Sequence, residues 1–306
     1  MNKVLYIILI SLFNLTVISC AKKSSDDSKT TTSSPSHVAV GSSGTIITSS
    51  DGTTWTSRTS GTTESLSGVT YGNGLFVTVG YLTILTSSDG STWTSRTSGT
   101  MVLLQEVTYG NSTFVIVGSN NIFTSPDGTT WTSRTSGTSN PLYGVTYGNN
   151  TFVISGSSGT ILTSSDGTSW DNKTSGTTEQ LSGVTYGNST YVIVGNSGTI
   201  LTSSDNGTSW DNRTSGTTQY LTEVTYGNNT FVSVGSSGTI LTSPDGTTWT
   251  SMTSGTTESL SGVTYGNGLF VVVGGTGTIL TSPDGTTWTS RTSGTSLYLS
   301  GVTSIE

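Results

Sequence analysis

The chain has 306 residues, of which 30% are hydrophobic and only 9% charged, with 40 glycines and a net charge of −7. Ten Lys and Arg against 17 Asp and Glu leave no basic face for a phosphate backbone, so nucleic acid is excluded as a partner. One Cys and one His exclude a disulfide framework and a His/Cys zinc site, and no metal or cofactor is expected.

The first element is MNKVLYIILISLFNLTVISC, residues 1–20, with Lys3, an apolar run from Val4 to Val17 and small residues before Cys20. The run is too short to span a bilayer and no stop-transfer charges follow it, so it predicts a secretory signal. Its ending, VISC, resembles the lipobox of bacterial lipoproteins. The resemblance implies that Cys20, the only Cys, becomes the mature N-terminus and carries the lipid. Residues 21–36, AKKSSDDSKTTTSSPS, have no apolar periodicity and predict a flexible polar tether. A membrane is therefore one expected partner, through the lipid. Ala21 and Lys22 after the Cys imply, by similarity to enterobacterial lipoproteins, the outer membrane of the cell envelope.

From residue 37 to 306 the chain repeats. Trp55, Trp93, Trp131, Trp170, Trp210, Trp249 and Trp288 recur at spacings of 38, 38, 39, 40, 39 and 39 residues. Low apolar content would favour disorder, but the remainder is rich in Thr, Val, Ile, Tyr and Trp, which suit strands. Each unit shows four strand-like runs, as in Val69–Tyr71, Phe76–Val79, Ile84–Ser87 and Thr92–Thr97. Asn-Gly and Asp-Gly dipeptides, which tolerate positive φ, mark the hairpins between them. Four short antiparallel strands per forty or so residues predict an all-β fold, a seven-bladed β-propeller over 37–306. The domain opens on HVAVG (37–41), a second strand lacking a first, and closes on SGVTSIE (300–306), a first strand lacking a second. Pairing the two completes a blade and closes the ring, and a single such ring predicts a monomer.

His37, at the start of the repeats, could on paper enter a Ser-His-Asp relay, and is read here as a partly exposed structural residue. Arg58, Arg96, Arg134, Arg213 and Arg291 share one position of the fourth strand, where a charge guards an outer edge against stray pairing.

SSDNGTSW, residues 203–210, matches the Asp-box pattern Ser-x-Asp-x-Gly-x-Thr-Trp with Ser209 in place of Thr. The other six units omit the residue between Asp and Gly. The chain thereby resembles sialidase-type, sortilin-type and photosystem II assembly-factor propellers. That resemblance implies that Asp51, Asp89, Asp127, Asp166, Asp205, Asp245 and Asp284 hold the turn between third and fourth strands. Seven equivalent copies suit a structural role better than a catalytic one. The Arg-Ile-Pro motif of sialidases is absent and the arginines occupy an outer strand, so their chemistry is not expected.

A hydrolase alternative needs two carboxylates at a defined separation. Glu106 and Glu223 are the candidates, since both replace the Gly that usually precedes VTYG at the start of an innermost strand. They fall three blades apart, on opposite sides of the channel, and the plainer reading is solvated residues at its mouth. Asp171 and Asp211, on outer strands, read as surface.

The repeats differ most in the loop entering each blade: TESLSG (63–68), MVLLQE (101–106), SNPLYG (139–144), TEQLSG (178–183), TQYLTE (218–223), TESLSG (257–262) and SLYLSG (296–301). The invariant Leu is expected in the core. Around it vary Val102, Leu103, Asn140, Tyr143, Gln180, Tyr220, Leu297 and Tyr298, and these form the candidate binding face. Exposed Tyr, Asn and Gln suit a protein or glycan ligand. The expected function is a lipid-anchored, non-catalytic binding or scaffold module.

Overall fold

The computed structural model describes residues 35–97 and 102–305. Cys20, the signal and the tether up to residue 34 lie outside the described residues. Ser33–Glu306 forms one compact unit, built of seven four-stranded antiparallel sheets arranged as the blades of a ring. Among the described residues no helix is long and apolar enough to cross a membrane.

Blade 1 holds β1 (His37–Gly41), β2 (Ile46–Ser49) and β3 (Thr56–Arg58), and blade 2 holds β4 (Leu66–Gly72), β5 (Leu75–Gly80), β6 (Thr83–Ser87) and β7 (Thr94–Arg96), running from the inside outward. Blades 3 to 7 repeat this plan over 106–134, 142–173, 181–213, 221–252 and 260–291. The innermost strand of blade 1 is the C-terminal strand Leu299–Ser304, which pairs with β1 through His37↔Ser304, Val38↔Thr303, Ala39↔Val302 and Val40↔Gly301. The two ends of the domain therefore close the ring.

The fourth strands are shorter than the sequence suggested. Thr94–Arg96 replaces the expected run from Thr92, because the N–H of Thr92 still belongs to the turn and donates to Asp89 Oδ1 at 2.8 Å.

Second strands are apolar at nearly every position because both of their faces meet a neighbouring blade. Val77, Val79 and Ile84 of blade 2 pack with Leu104, Val107, Phe114, Ile116 and Phe123 of blade 3. The junction of blades 7 and 1 is built alike, from Val271, Val273 and Ile279 against Ala39, Ile47 and Leu299. The core is thus seven interlocking seams rather than one centre. The Leu of every entry loop, from Leu66 to Leu299, is fully buried in them. Close approach also fixes a glycine at the end of the inner strands. A Cβ on Gly72 or Gly110 would overlap the ring of Tyr109 or Tyr147 in the next blade.

His37 is fully buried, a correction to the partly exposed position expected for it. It occupies the place of Phe76, Phe114, Phe152, Tyr191, Phe231 and Phe270 in the other blades, with its ring 6.3 Å from that of Trp55. Nδ1 meets Ser36 Oγ at 2.9 Å, whereas Nε2 has no partner among the described residues. Burial lowers its pKa, partly offset by the Gly266 backbone.

Antiparallel alternation gives the ring two different ends. The hairpins between first and second strands share one end with the Asp turns, and Asn111 of blade 3 and Asn228 of blade 6 donate to the carbonyls of Ser165 and Pro283 in the following blades. The entry loops share the other end with the turns between second and third strands, where the N–H groups of Ser42, Ser157, Asn196 and Ser236 donate to the carbonyls of Tyr298, Pro141, Gln180 and Tyr220.

Candidate functional site

The loop end divides into two unlike halves. Over blades 4 to 6 it is polar and internally bonded. Ser157 donates to the Tyr143 hydroxyl at 3.1 Å, and Asn140 Nδ2 to Thr160 Oγ1 at 2.9 Å. Gln180 Nε2 donates to the Tyr220 hydroxyl at 2.9 Å, and Ser182 Oγ shares the same hydroxyl. Asn140, Tyr143, Gln180 and Tyr220 are consequently half-buried rather than exposed as the sequence suggested. Burial raises the Tyr220 pKa, against the pull of its hydrogen bonds from Ser182 and Gln180.

Over blades 1 to 3 the same end carries exposed apolar side chains. Leu297 and Tyr298, 41% and 40% exposed, precede the inner strand of blade 1, and Leu103 precedes that of blade 3. Val102 is half-buried and packs on the seam beneath. Beside them lies a feature that the sequence reading passed over. Tyr81 and Leu82 form the tip between β5 and β6 and are 48% and 37% exposed. Tyr81 bridges to Leu103, and the Leu82 N–H approaches the Val102 carbonyl at 3.4 Å. Leu82 also sits in the left-handed region, at φ 53, which costs a Leu on the order of 1 kcal/mol. The signal was in the repeat itself, since GYLTILTS (80–87) stands where blades 4 and 6 read GSSGTILTS and blades 1, 5 and 7 read close variants of it. Among the described residues, all five exposed large hydrophobic side chains lie at this one end.

Glu106 and Glu223 are not solvated residues at the mouth. Both line one cavity of about 150 Å³ inside the channel, together with Val69, Val145, Val184, Val263, Ser261 and Ser300. Solvent reaches them through the lumen, yet protein surrounds them on every side. Each carboxylate accepts the N–H of the next residue, Val107 or Val224, at 2.9 Å. Each also leans over the preceding blade, where a Cβ on Gly68 or Gly183 would meet its Oε1 at 2.6 Å or 2.5 Å. The glycines at the other ring positions therefore make the room that these two side chains fill. Among the described residues no cation faces them, so desolvation raises both pKa values, and for Glu223 the charge of Glu106 adds to the effect.

At the opposite end each Asp holds its turn in the same way. Asp51 Oδ1 accepts the N–H groups of Thr53 and Thr54 at 2.8 Å and the Ser49 hydroxyl at 2.9 Å. Asp89, Asp127, Asp166, Asp245 and Asp284 make the equivalent bonds. Asp205, with Asn206 inserted, reaches one residue further, to Thr208 and Ser209. These bonds lower the pKa of all seven carboxyls, to about 2 in Asp205, Asp245 and Asp284. Every Trp stacks near the second-strand aromatic, and Trp55 Nε1 donates to the Gly52 carbonyl at 3.1 Å. Asp171 and Asp211 pair on the surface with Lys173 and Arg213, at 3.6 Å and 2.9 Å. Among the described residues no group of three or more His, Cys, Asp and Glu could hold a metal ion.

Comparison with known proteins places this architecture. The family model described as the DUF6242 β-propeller domain matches residues 172–296. No curated protein matches the chain. Among solved structures, YCF48 bound to D1 peptide is 18% identical with a TM-score of 0.65, covering 80% of this chain and 86% of that one. YCF48 from Cyanidioschyzon merolae is 15% identical with a TM-score of 0.59, covering 76% and 86%. The computationally designed Ika8 protein is 12% identical with a TM-score of 0.64, covering 86% of each chain. What the chain shares with these is the propeller fold.

Proposed function

We propose that the chain is a lipid-anchored binding module of the cell envelope, a non-catalytic propeller that holds a protein ligand on its loop end. The observation that carries this reading is the gathering of Tyr81, Leu82, Leu103, Leu297 and Tyr298 at one end, in positions where otherwise copied blades differ. An exposed apolar patch on a soluble surface marks an interaction site. A protein of this fold, YCF48, has been solved with a peptide bound, which supports a peptide or protein ligand ahead of a glycan. The lipid reading rests on Cys20 and the VISC junction. Pro35 packs near Gly90 of an Asp turn and the Ser36 carbonyl accepts the Ile305 N–H at 2.8 Å, so the chain enters the domain at the Asp-turn end.

The hydrolase alternative rests on Glu106 and Glu223. Their cavity, about 150 Å³, is below the roughly 300–1,000 Å³ of small-molecule sites. Burial favours the neutral form of both, where glycoside hydrolysis needs an ionised partner. A photo-crosslinking residue at Leu103 or Tyr298 should give protein adducts in envelope preparations, and one at Thr168 in an Asp turn should not. Adducts from the Asp-turn end alone would overturn the assignment, and glycoside turnover abolished by Glu106→Gln would replace it with the hydrolase. Cys20→Ala should release the protein from membranes, and fatty-acid labelling that persists in that variant would refute the anchor.

A further inference from the structure

The charges of the domain are segregated. All six cations among the described residues, Arg58, Arg96, Arg134, Lys173, Arg213 and Arg291, lie on the outermost strands. The five arginines are tied back there, each donating Nε to a third-strand Thr at 2.8 Å. The seven entry loops contain no Lys or Arg at all. At their second position they carry Glu64, Glu179 and Glu258, and the channel they surround holds Glu106 and Glu223. With no cation among the described residues at this end, the carboxylates of Glu64, Glu179 and Glu258 turn a negative field toward whatever approaches, to which Glu106 and Glu223, held toward the neutral form by burial, add little.

The acids and the apolar patch interleave around the ring. Glu64 sits on the loop entering blade 2, between Leu297 and Tyr298 of the loop entering blade 1 and Leu103 of the loop entering blade 3. Glu258 lies on the loop before that of Leu297, and Glu179 across the mouth. We infer that the loop end takes a cationic peptide segment that also carries large apolar side chains. Its apolar residues rest on Tyr81, Leu103, Leu297 and Tyr298, and its Lys or Arg side chains lie over Glu64 and Glu258. The inference rests on the binding reading above and adds the chemistry of the partner. An acidic segment is repelled by this end, a purely cationic one leaves the patch in water, and a second copy of the chain brings a mouth of the same sign.

The test uses the full chain in a non-ionic detergent and a fluorescein-labelled peptide of fourteen residues alternating Lys with Phe and Leu. Matched peptides carry Glu for Lys, or Ser for Phe and Leu. Fluorescence anisotropy should show the cationic apolar peptide binding and the other two at least tenfold weaker. Affinity should fall with added salt, as expected for charge pairing. Leu103→Ser with Tyr298→Ser should weaken binding at least tenfold at every salt concentration. Glu64→Gln with Glu258→Gln should weaken it at low salt and flatten the salt dependence. Equal binding of the Glu peptide, unchanged affinity in both variants, or crosslinks from Tyr298 to a second copy of the chain would each overturn the inference. If Leu103 and Tyr298 still crosslink to an envelope protein while the cationic probe fails to bind, the binding function stands and the cationic partner falls. If neither occurs, both fall.

Discussion

Replacing Glu106 and Glu223 together by Gln should stabilise the domain at neutral and alkaline pH and change little in acid. Among the described residues both carboxyls share one cavity with no cation, and each has a single backbone N–H as its fixed hydrogen bond. Folding therefore raises their pKa above the unfolded value near 4.5. Between that value and the raised one the folded state binds more protons than the unfolded, so stability falls as pH rises through the window. Below it both states are protonated and the penalty vanishes. A displacement of one pH unit corresponds to about 1.4 kcal/mol. Full burial displaces a carboxyl by up to roughly 3–5 pH units, but water in the lumen solvates these two in part. We therefore place the gain of the double variant at about 2–4 kcal/mol at pH 8. For a chain of this size, with roughly 2 °C per kcal/mol, that is a rise in Tm of about 4–8 °C. Thermal unfolding by circular dichroism from pH 4 to pH 9, comparing the native chain, both single variants and the double, reads the effect directly. Parallel curves for native and double variant, or a double variant less stable at pH 8, would refute the reasoning.

His37→Phe copies the residue of the other seams and removes an unpartnered ring nitrogen, so Tm should rise. Because burial lowers the His37 pKa, the native chain loses stability as pH falls through the unfolded value near 6.5; the gain should grow below pH 6, and a pH-independent difference would count against it. Asp205→Ala should cost on the order of 1 kcal/mol, as an exposed turn carboxylate allows, and leave peptide binding intact. Loss of binding in that folded variant would move the functional face to the Asp-turn end. The Asp205 contribution, full above its unfolded pKa near 3.8, should fade as pH falls toward about 2. Removing residues 300–306 strips β1 of its inner partner and bares a sheet edge, so the chain should aggregate or unfold far below the native Tm, and an unchanged melting curve would refute ring closure as a source of stability.

The period of the tryptophans, the Asn-Gly and Asp-Gly turns and the two unpaired end strands were enough to establish seven closed blades, because turn chemistry and strand alternation are local properties written into each repeat. The invariant Leu of the entry loops was legible as core for the same reason. Other matters depended on what the ring brings together. The carboxyls of Glu106 and Glu223, 117 positions apart in the sequence, share one cavity because glycines at the other ring positions leave the room that both side chains fill. Tyr220 holds the same loop position as Tyr298, yet Gln180 and Ser182 of the adjacent blade draw its hydroxyl inward and Tyr298 stays in water. Tyr81 and Leu82 join Leu103 only through a backbone bridge between successive blades. Charge, burial and exposure at the loop end are properties of side chains from different repeats packed side by side, and a single repeat, however often it is copied, does not contain its neighbours.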